Sequence, residues 1–322
     1  MYQLKTFKLF FIVIFSFSCL SLKAQDTTTL PSKIELIPFK SQNFKVEDFL
    51  TKSVGSEPVY LAGELRIPQG GKSKYPAVIL VHGSSGISSS IDRWVHSLNA
   101  AGFATYAIDS FTGRGIENTR DDQTQLNSYS MMEDTFRALD TLSKHDRIDA
   151  NKISVMGFSK GAVSSIFSSI KRLHKLHGSN AHFAAHVGLY TPCNTRLNED
   201  TELSGAPIRL FHGTTDDYVS VKPCRSYVKE LKEKGFDVSL KEFENTDHSY
   251  DSPLYINRVS LPKAQSTRNC SIVEKRPGEL ISSSNGKPFS YADPCVELGT
   301  HIGSNPSATE ETLRDVLAFL PR

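Results

Sequence analysis

Two glycines enclose a serine in Gly157-Phe158-Ser159-Lys160-Gly161, and the apolar run Lys152-Ile153-Ser154-Val155-Met156 stands directly before them. Gly-x-Ser-x-Gly between a strand-like run and a helix-compatible one, here residues 162–173, holds a serine on a sharp strand-to-helix turn with its Oγ exposed. The glycines let the backbone turn without a Cβ collision. A serine hydroxyl attacks a carbonyl carbon only with help: an imidazole takes its proton, and a carboxylate holds that imidazole in the right tautomer. The pentapeptide is short and has many chance matches, so its partners decide the reading.

Both partner types follow in chain order. The run at 208–212 leads into Gly213-Thr214-Thr215-Asp216-Asp217, a tight acidic turn in which Asp216 is the predicted acid. Asp217 is the competitor, with capping of the turn before the next helix as its other role. After the next apolar run, His248 lies on a loop, within Glu244-Asn245-Thr246-Asp247-His248-Ser249-Tyr250, from which an imidazole reaches the elbow. Asp247 beside it is expected to be a solvated turn residue. Acyl transfer also needs two backbone N–H groups aimed where negative charge develops on the carbonyl oxygen. Lys160, the first residue after the serine at a helix N-terminus, is one predicted donor. Ser84, in the small-residue loop His82-Gly83-Ser84-Ser85-Gly86, is the other.

Positioning these groups requires a sheet. Apolar runs at 59–67, 76–82, 104–108, 152–156, 182–189, 208–212 and 238–243 alternate with helical spacing at 92–101, 131–143, 159–173, 222–234 and 309–319. That alternation predicts an α/β fold, a mainly parallel sheet with helices on both faces. The run at 76–81 is apolar on both faces, as a central parallel strand is, whereas 59–66 is mixed and reads as an outer antiparallel strand. Residues 252–299 hold prolines, glycines and two cysteines with little periodicity, and are expected to form a loop-rich insertion, either a disulfide-pinned surface excursion or a contributor to substrate selection.

Taken together, His82-Gly83-Ser84, Asp109-Ser110-Phe111, Gly157-Phe158-Ser159, His212-Gly213-Thr214-Thr215-Asp216-Asp217 and Asp247-His248 resemble the dienelactone hydrolase family of α/β-hydrolases, over roughly residues 59–319. The resemblance implies the α/β-hydrolase fold, a triad of Ser159, Asp216 and His248, and ester hydrolysis. The founding members of that family carry a cysteine nucleophile, so the serine here separates the chemistry from the founders' dienelactone substrate. Arg114, within Asp109-Ser110-Phe111-Thr112-Gly113-Arg114-Gly115, resembles a recurrent stretch of exported relatives. It is a candidate to hold a substrate carboxylate bidentately, with a structural ion pair as the alternative.

Composition narrows the setting. At 322 residues, 39% hydrophobic and 22% charged, the chain is ordinary globular protein, and a net charge of +2 without a long basic run predicts no nucleic-acid surface. Lys5 and Lys8 precede the apolar run Leu9-Phe10-Phe11-Ile12-Val13-Ile14-Phe15, and Leu22-Lys23-Ala24 follows as a small-residue cleavage site. Residues 1–24 are therefore predicted to be a signal peptide, 25–49 a polar lead-in and 50–322 the hydrolase domain. An uncleaved anchor is disfavoured because the run is shorter than the ~20 residues a spanning helix needs. Ser16-Phe17-Ser18 before Cys19 is a poor lipid-attachment sequence. The protein is thus expected to be exported, periplasmic or extracellular, without a stable membrane span.

An oxidising compartment favours pairing the four remaining cysteines, Cys193, Cys224, Cys270 and Cys295. Three pairings are possible; the sequence-local one joins Cys193 to Cys224 and Cys270 to Cys295. No Cys-x-x-Cys spacing, phosphate loop or Gly-x-Gly-x-x-Gly occurs, so neither a metal nor a cofactor is expected. His174 and His177 lie one helical turn apart without a zinc-protease glutamate and read as solvated surface. His182 and His186 are expected to share a strand face, and His82 and His212 to fix loops. The expected function is hydrolysis of small-molecule carboxylic esters or lactones. A peptidase or amidase of the same fold, and a non-catalytic binding protein retaining that fold, are the alternatives.

Overall fold

The computed structural model describes residues 31–53 and 58–322, so the expected signal peptide lies outside the described residues. Among them the chain builds an eight-stranded sheet from β1 (Lys33–Gln42), β2 (Pro58–Ile67), β3 (Tyr75–Val81), β4 (Ala104–Asp109), β5 (Ile148–Phe158), β6 (His186–Leu189), β7 (Ile208–Gly213) and β8 (Val238–Phe243). Their spatial order is β1-β2-β4-β3-β5-β6-β7-β8. Every neighbouring pair from β4 to β8 is parallel, and β2 runs antiparallel to both β1 and β4.

Helices α1 (Val46–Thr51), α2 (Ser89–Ala100), α3 (Ser128–Leu142), α4 (Lys160–Phe167), α5 (Lys171–His177), α6 (Lys222–Glu233) and α7 (Pro306–Phe319) cover the sheet. All seven residues of β3 are buried. Its alternation sends Ile79 and Val81 into a core shared with Met131 and Leu139 of α3, and Val78 and Leu80 into one shared with Trp94 and Leu98 of α2 and Val316 of α7. Each such side chain contributes about 1.5–3 kcal/mol by leaving water. The strand that ends at the predicted oxyanion loop is therefore clamped from both sides.

The polar lead-in expected over 25–49 is corrected here. Residues 33–42 form β1, which pairs with β2 from Lys33↔Ile67 to Gln42↔Pro58, making β2 an interior strand rather than an outer one. β1 escaped notice because it is an edge strand with one face in water: Ile34 and Leu36 are 56% and 75% exposed. α1 follows with Phe49 and Leu50 buried. His177, expected at the surface, stacks on Phe49 at 3.8 Å, with Glu133 of α3 2.9 Å from Nδ1 and the Phe49 carbonyl 2.7 Å from Nε2. This buried imidazole fastens α1 to α3 and α5.

Two other elements differ from expectation. The helix anticipated over 159–173 divides after Phe167, where the Ser168 and Ser169 hydroxyls donate back to the carbonyls of Ser165 and Ile166. His182 stacks on His174 at 4.3 Å and precedes β6, so it shares no strand face with His186. Residues 252–299 are more ordered than a loop. Val259–Ser266 pairs antiparallel with Glu297–Ile302, and Ile272–Arg276 pairs with Glu279–Ser282 and, in parallel, with Thr195–Arg196. Disulfides join Cys193 to Cys224 and Cys270 to Cys295, the sequence-local pairing. No helix among the described residues is long and apolar enough to cross a membrane.

Candidate active site

β5 ends at Phe158 and α4 begins at Lys160, so Ser159 alone makes the turn, with φ 52° and ψ −118°. An L-residue holds that conformation only where its surroundings over-determine it. Close approach supplies the constraint: a Cβ on Gly157 would lie 2.3 Å from the Gly161 carbonyl oxygen, and one on Gly161 would lie 2.2 Å from that of Val81. The two glycines are thus required by contact, while the strain sits on the serine between them. Because Gly161 rests on the end of β3, the elbow and the loop after β3 become neighbours.

The residues expected from three strand ends converge on this point. His248 Nε2 lies 3.0 Å from Ser159 Oγ, and His248 Nδ1 lies 2.7 Å from Asp216 Oδ2. An ionised Asp216 only accepts, which makes Nδ1 the donor and leaves Nε2 as an acceptor facing the serine hydroxyl. Asp216 is fixed in turn, since Oδ1 accepts from the backbone N–H groups of Tyr218 and Val219 at 2.9 and 2.8 Å. Burial raises its pKa, but the charge and hydrogen bonds of His248 and His212 outweigh burial and hold the carboxyl well below the usual carboxylate range. His248 itself is 2% exposed, between the rings of Tyr190 at 4.5 Å and Tyr218 at 4.8 Å.

Three groups near this line carried no catalytic signal in the sequence. His212 Nε2 lies 3.2 Å from Asp216 Oδ2, a second imidazole on the acid. Tyr190 and Trp94 donate to the two oxygens of Asp251 at 2.9 and 2.8 Å, fixing the ring that flanks His248. Burial raises the Asp251 carboxyl above its ordinary pKa. Gln123 is the third, and it meets both predicted oxyanion residues directly. Lys160 turns its side chain inward, where Nζ donates to Gln123 Oε1 at 3.0 Å, to the Gln123 carbonyl at 3.2 Å and to Thr119 Oγ1 at 3.3 Å. Gln123 Nε2 donates to Ser84 Oγ at 3.1 Å. The side chains of both predicted oxyanion donors are thereby joined through one amide. With neutral acceptors around it, the Lys160 ammonium is pulled by burial from 10.5 down to about 7.

His82 fixes the same loop from below. Its Nδ1 donates to the Gly83 carbonyl at 2.8 Å and its Nε2 accepts from the Ser110 N–H at 3.1 Å. Of the two roles open to Arg114, the structure shows the structural ion pair. Its guanidinium pairs bidentately with Asp134 at 2.8 Å to each oxygen, donates to the Ser110 carbonyl at 2.6 Å and to Asn43 Oδ1 at 2.5 Å, and is buried with its partner. The fifth N–H donates to the Gln42 carbonyl at 3.4 Å, so no donor remains to face a substrate carboxylate. Asp217 and Asp247 also have partners: Asp217 accepts from the His301 N–H at 2.7 Å, and Arg258 bonds Asp217 at 3.2 Å and Asp247 at 2.9 Å. Both acids therefore anchor the 252–302 segment.

That segment supplies wall to two cavities that reach the serine. The larger cavity, about 300 Å³, is lined by Tyr129, Val163, Tyr218, Ile272, Leu280 and Tyr291, with Ser159 and Lys160 at its floor. The smaller, about 80 Å³, is lined by His248, Ser249, Ser252, the loop after β3 and the start of α2, and also reaches Ser159.

The sequence matches the model of the dienelactone hydrolase family over residues 61–270. No curated protein matches the chain. Among solved structures, a dienelactone hydrolase-like promiscuous phosphotriesterase from metagenomic libraries is 14% identical with a TM-score of 0.53, covering 89% of this chain and 97% of that one. The structure titled m3DLH is 18% identical with a TM-score of 0.55, covering 90% of this chain and 99% of that one. At these identities the likeness is one of fold, that of the α/β-hydrolases.

Proposed function

The chain belongs to the dienelactone hydrolase family, and from that premise we propose that it is an exported serine hydrolase that cleaves carboxylic esters or lactones through an acyl-enzyme. The observation that carries this reading is the continuous hydrogen-bonded line from Ser159 Oγ through His248 to Asp216, at 3.0 and 2.7 Å. As the Ser159 Oγ–carbonyl bond forms, the hydroxyl proton passes to His248 Nε2 and the carbonyl oxygen becomes an oxyanion. The backbone N–H groups of Lys160 and Ser84 receive that oxyanion; Lys160 stands at the first position of α4, where N–H groups have no intrahelical acceptor.

The carbon–alkoxy bond then breaks, and the proton on Nε2 goes to the departing oxygen, releasing the alcohol. A water molecule gives one proton to His248 and adds as hydroxide to the acyl carbon. Oγ leaves with the proton from Nε2, and the carboxylic acid is released. The Asp216 carboxylate stabilises the imidazolium in both halves and stays ionised throughout. Export is supported by the leader-like residues 1–24 and by two disulfides, which belong to oxidising compartments.

The test is pre-steady-state turnover of an activated aryl ester. Wild type is expected to release a burst of phenol equal to the enzyme concentration before the slower steady phase. Ser159→Ala is expected to show neither phase, and a retained burst in that variant would falsify the assignment.

A further inference from the structure

The cavities that meet at Ser159 differ almost fourfold in volume, about 300 against about 80 Å³, and they differ in which residue of the proton path they contain. His248 lines the smaller one and is absent from the walls of the larger. That asymmetry orients an ester. In the tetrahedral intermediate the oxyanion is held by the backbone donors, so the two remaining substituents on carbon, the acyl chain and the alkoxy oxygen, must occupy the two cavities. The alkoxy oxygen takes its proton from His248 Nε2 and must lie within hydrogen-bond reach of it. We infer that the alcohol portion is seated in the smaller cavity and the acyl portion in the larger, so that the protein selects esters of bulky apolar acids with short alcohols. This rests on Ser159 being the nucleophile and His248 the proton carrier.

Size and lining agree with that orientation. An apolar protein cavity of about 150 Å³ holds one benzene. The larger cavity therefore takes a group about twice that size, and its Tyr129, Tyr291, Phe289, Ile272 and Leu280 walls suit an aromatic or alicyclic chain. The smaller falls below the benzene-holding volume and has Ser88, Ser249 and Ser252 in its wall, which suits a methoxy or ethoxy group and, after the alcohol leaves, the attacking water. The lock is geometric, because Tyr218 stands in both walls and marks the boundary between them.

Methyl 3-phenylpropanoate and 2-phenylethyl acetate test this directly. They are isomers with unactivated primary alcohols as leaving groups, and they differ in which side of the ester carries the ring. We expect kcat/KM for methyl 3-phenylpropanoate to exceed that for its isomer by about tenfold or more, as expected where one pocket excludes a bulky group. Leu280→Trp, which fills the larger cavity from the 252–302 side, should bring the ratio toward one. Equal rates, a preference for 2-phenylethyl acetate, or a ratio unmoved by Leu280→Trp would each overturn the orientation. Turnover of neither isomer by a protein that still shows the Ser159-dependent burst would overturn it too, while leaving the nucleophile in place. Loss of the burst itself would strike the underlying reading instead.

Discussion

The elbow at Ser159 and the segment from 252 to 302 press on the same small volume but are built differently. The elbow hangs on three parallel strand ends, with Gly161 seated 2.2 Å, measured from its would-be Cβ, from the backbone of β3 and no room for relaxation. The 252–302 segment is tied to the rest of the fold by Arg258 and His301 on Asp217 and by Arg268 on the Asp217 carbonyl, and is cross-linked within itself by the Cys270–Cys295 bond. In the proposed mechanism one region sets the positions of reacting atoms, while the other supplies cavity wall. Changes in the first should alter rate for every ester alike, and changes in the second should alter which ester is preferred. Gln123 lies between them: its amide holds Lys160 and Ser84, and its backbone N–H donates to Gln265 Oε1 at 2.8 Å.

The largest effect after removal of the serine itself should come from Asp216→Asn, which supplies a donor where His248 needs an acceptor. A fall in kcat of roughly 10⁴-fold is expected, because the wrong imidazole tautomer then faces the serine. Steady-state assays on the two isomeric esters should show it equally on both, and a selective loss on one would blur the division between the regions.

Lys160→Met should lower kcat by roughly a hundredfold at most, the lower bound for losing an oxyanion donor outright, because the backbone N–H remains and only the brace through Gln123 is lost. This variant also carries a pH signature. The folded-state pKa is about 7 against an ordinary 10.5, so across that window the unfolded chain binds a proton that the folded protein has shed. Stability from this group therefore rises with pH from about 7 to 10.5. Urea midpoints measured across that range should rise less steeply in Lys160→Met than in wild type; parallel curves would show that the ammonium is not buried as described.

Replacing both Cys270 and Cys295 by serine should alter the isomer ratio by about tenfold or less, within the selectivity one apolar pocket wall supplies, with a smaller change in kcat for methyl acetate. A uniform collapse on all esters would mean that the segment positions reacting atoms after all. Arg114→Met should leave KM for a carboxylate-bearing ester where it is in wild type. Its effect should appear in unfolding instead, as a loss of about 3–5 kcal/mol from stranding Asp134 without its partner. A raised KM without loss of stability would return Arg114 to the substrate.

The contrast between regions also explains what was legible in the sequence. Ser159, Asp216 and His248 stood out because each follows a β-strand and is marked by local pattern: the paired glycines, the acidic turn after His212-Gly213, and the chain order. β7 and β8 were readable for the same reason, as short apolar runs. β1 was not, since an edge strand with Leu36 in water loses the alternation by which strands are found. Gln123 was invisible because its partners, Ser84 and Gln265, lie 39 and 142 residues away in sequence. The ion pair of Arg114 was one of its two readings, but its partner could not be named because Asp134 is on a helix 20 residues on. The local cysteine pairing was the one adopted, but the short strands between 259 and 302, around the Cys270–Cys295 bond, carried too few periodic residues to be read.

The central claim is that Ser159 Oγ is the atom that attacks. Labelling of the mature protein with a fluorophosphonate, followed by peptide mass spectrometry, tests it most directly. One adduct per chain is expected, on the peptide containing Gly157-Phe158-Ser159-Lys160-Gly161, absent in Ser159→Ala and formed far more slowly in Asp216→Asn. An adduct on any other residue, or stoichiometric labelling of Ser159→Ala, would contradict the account.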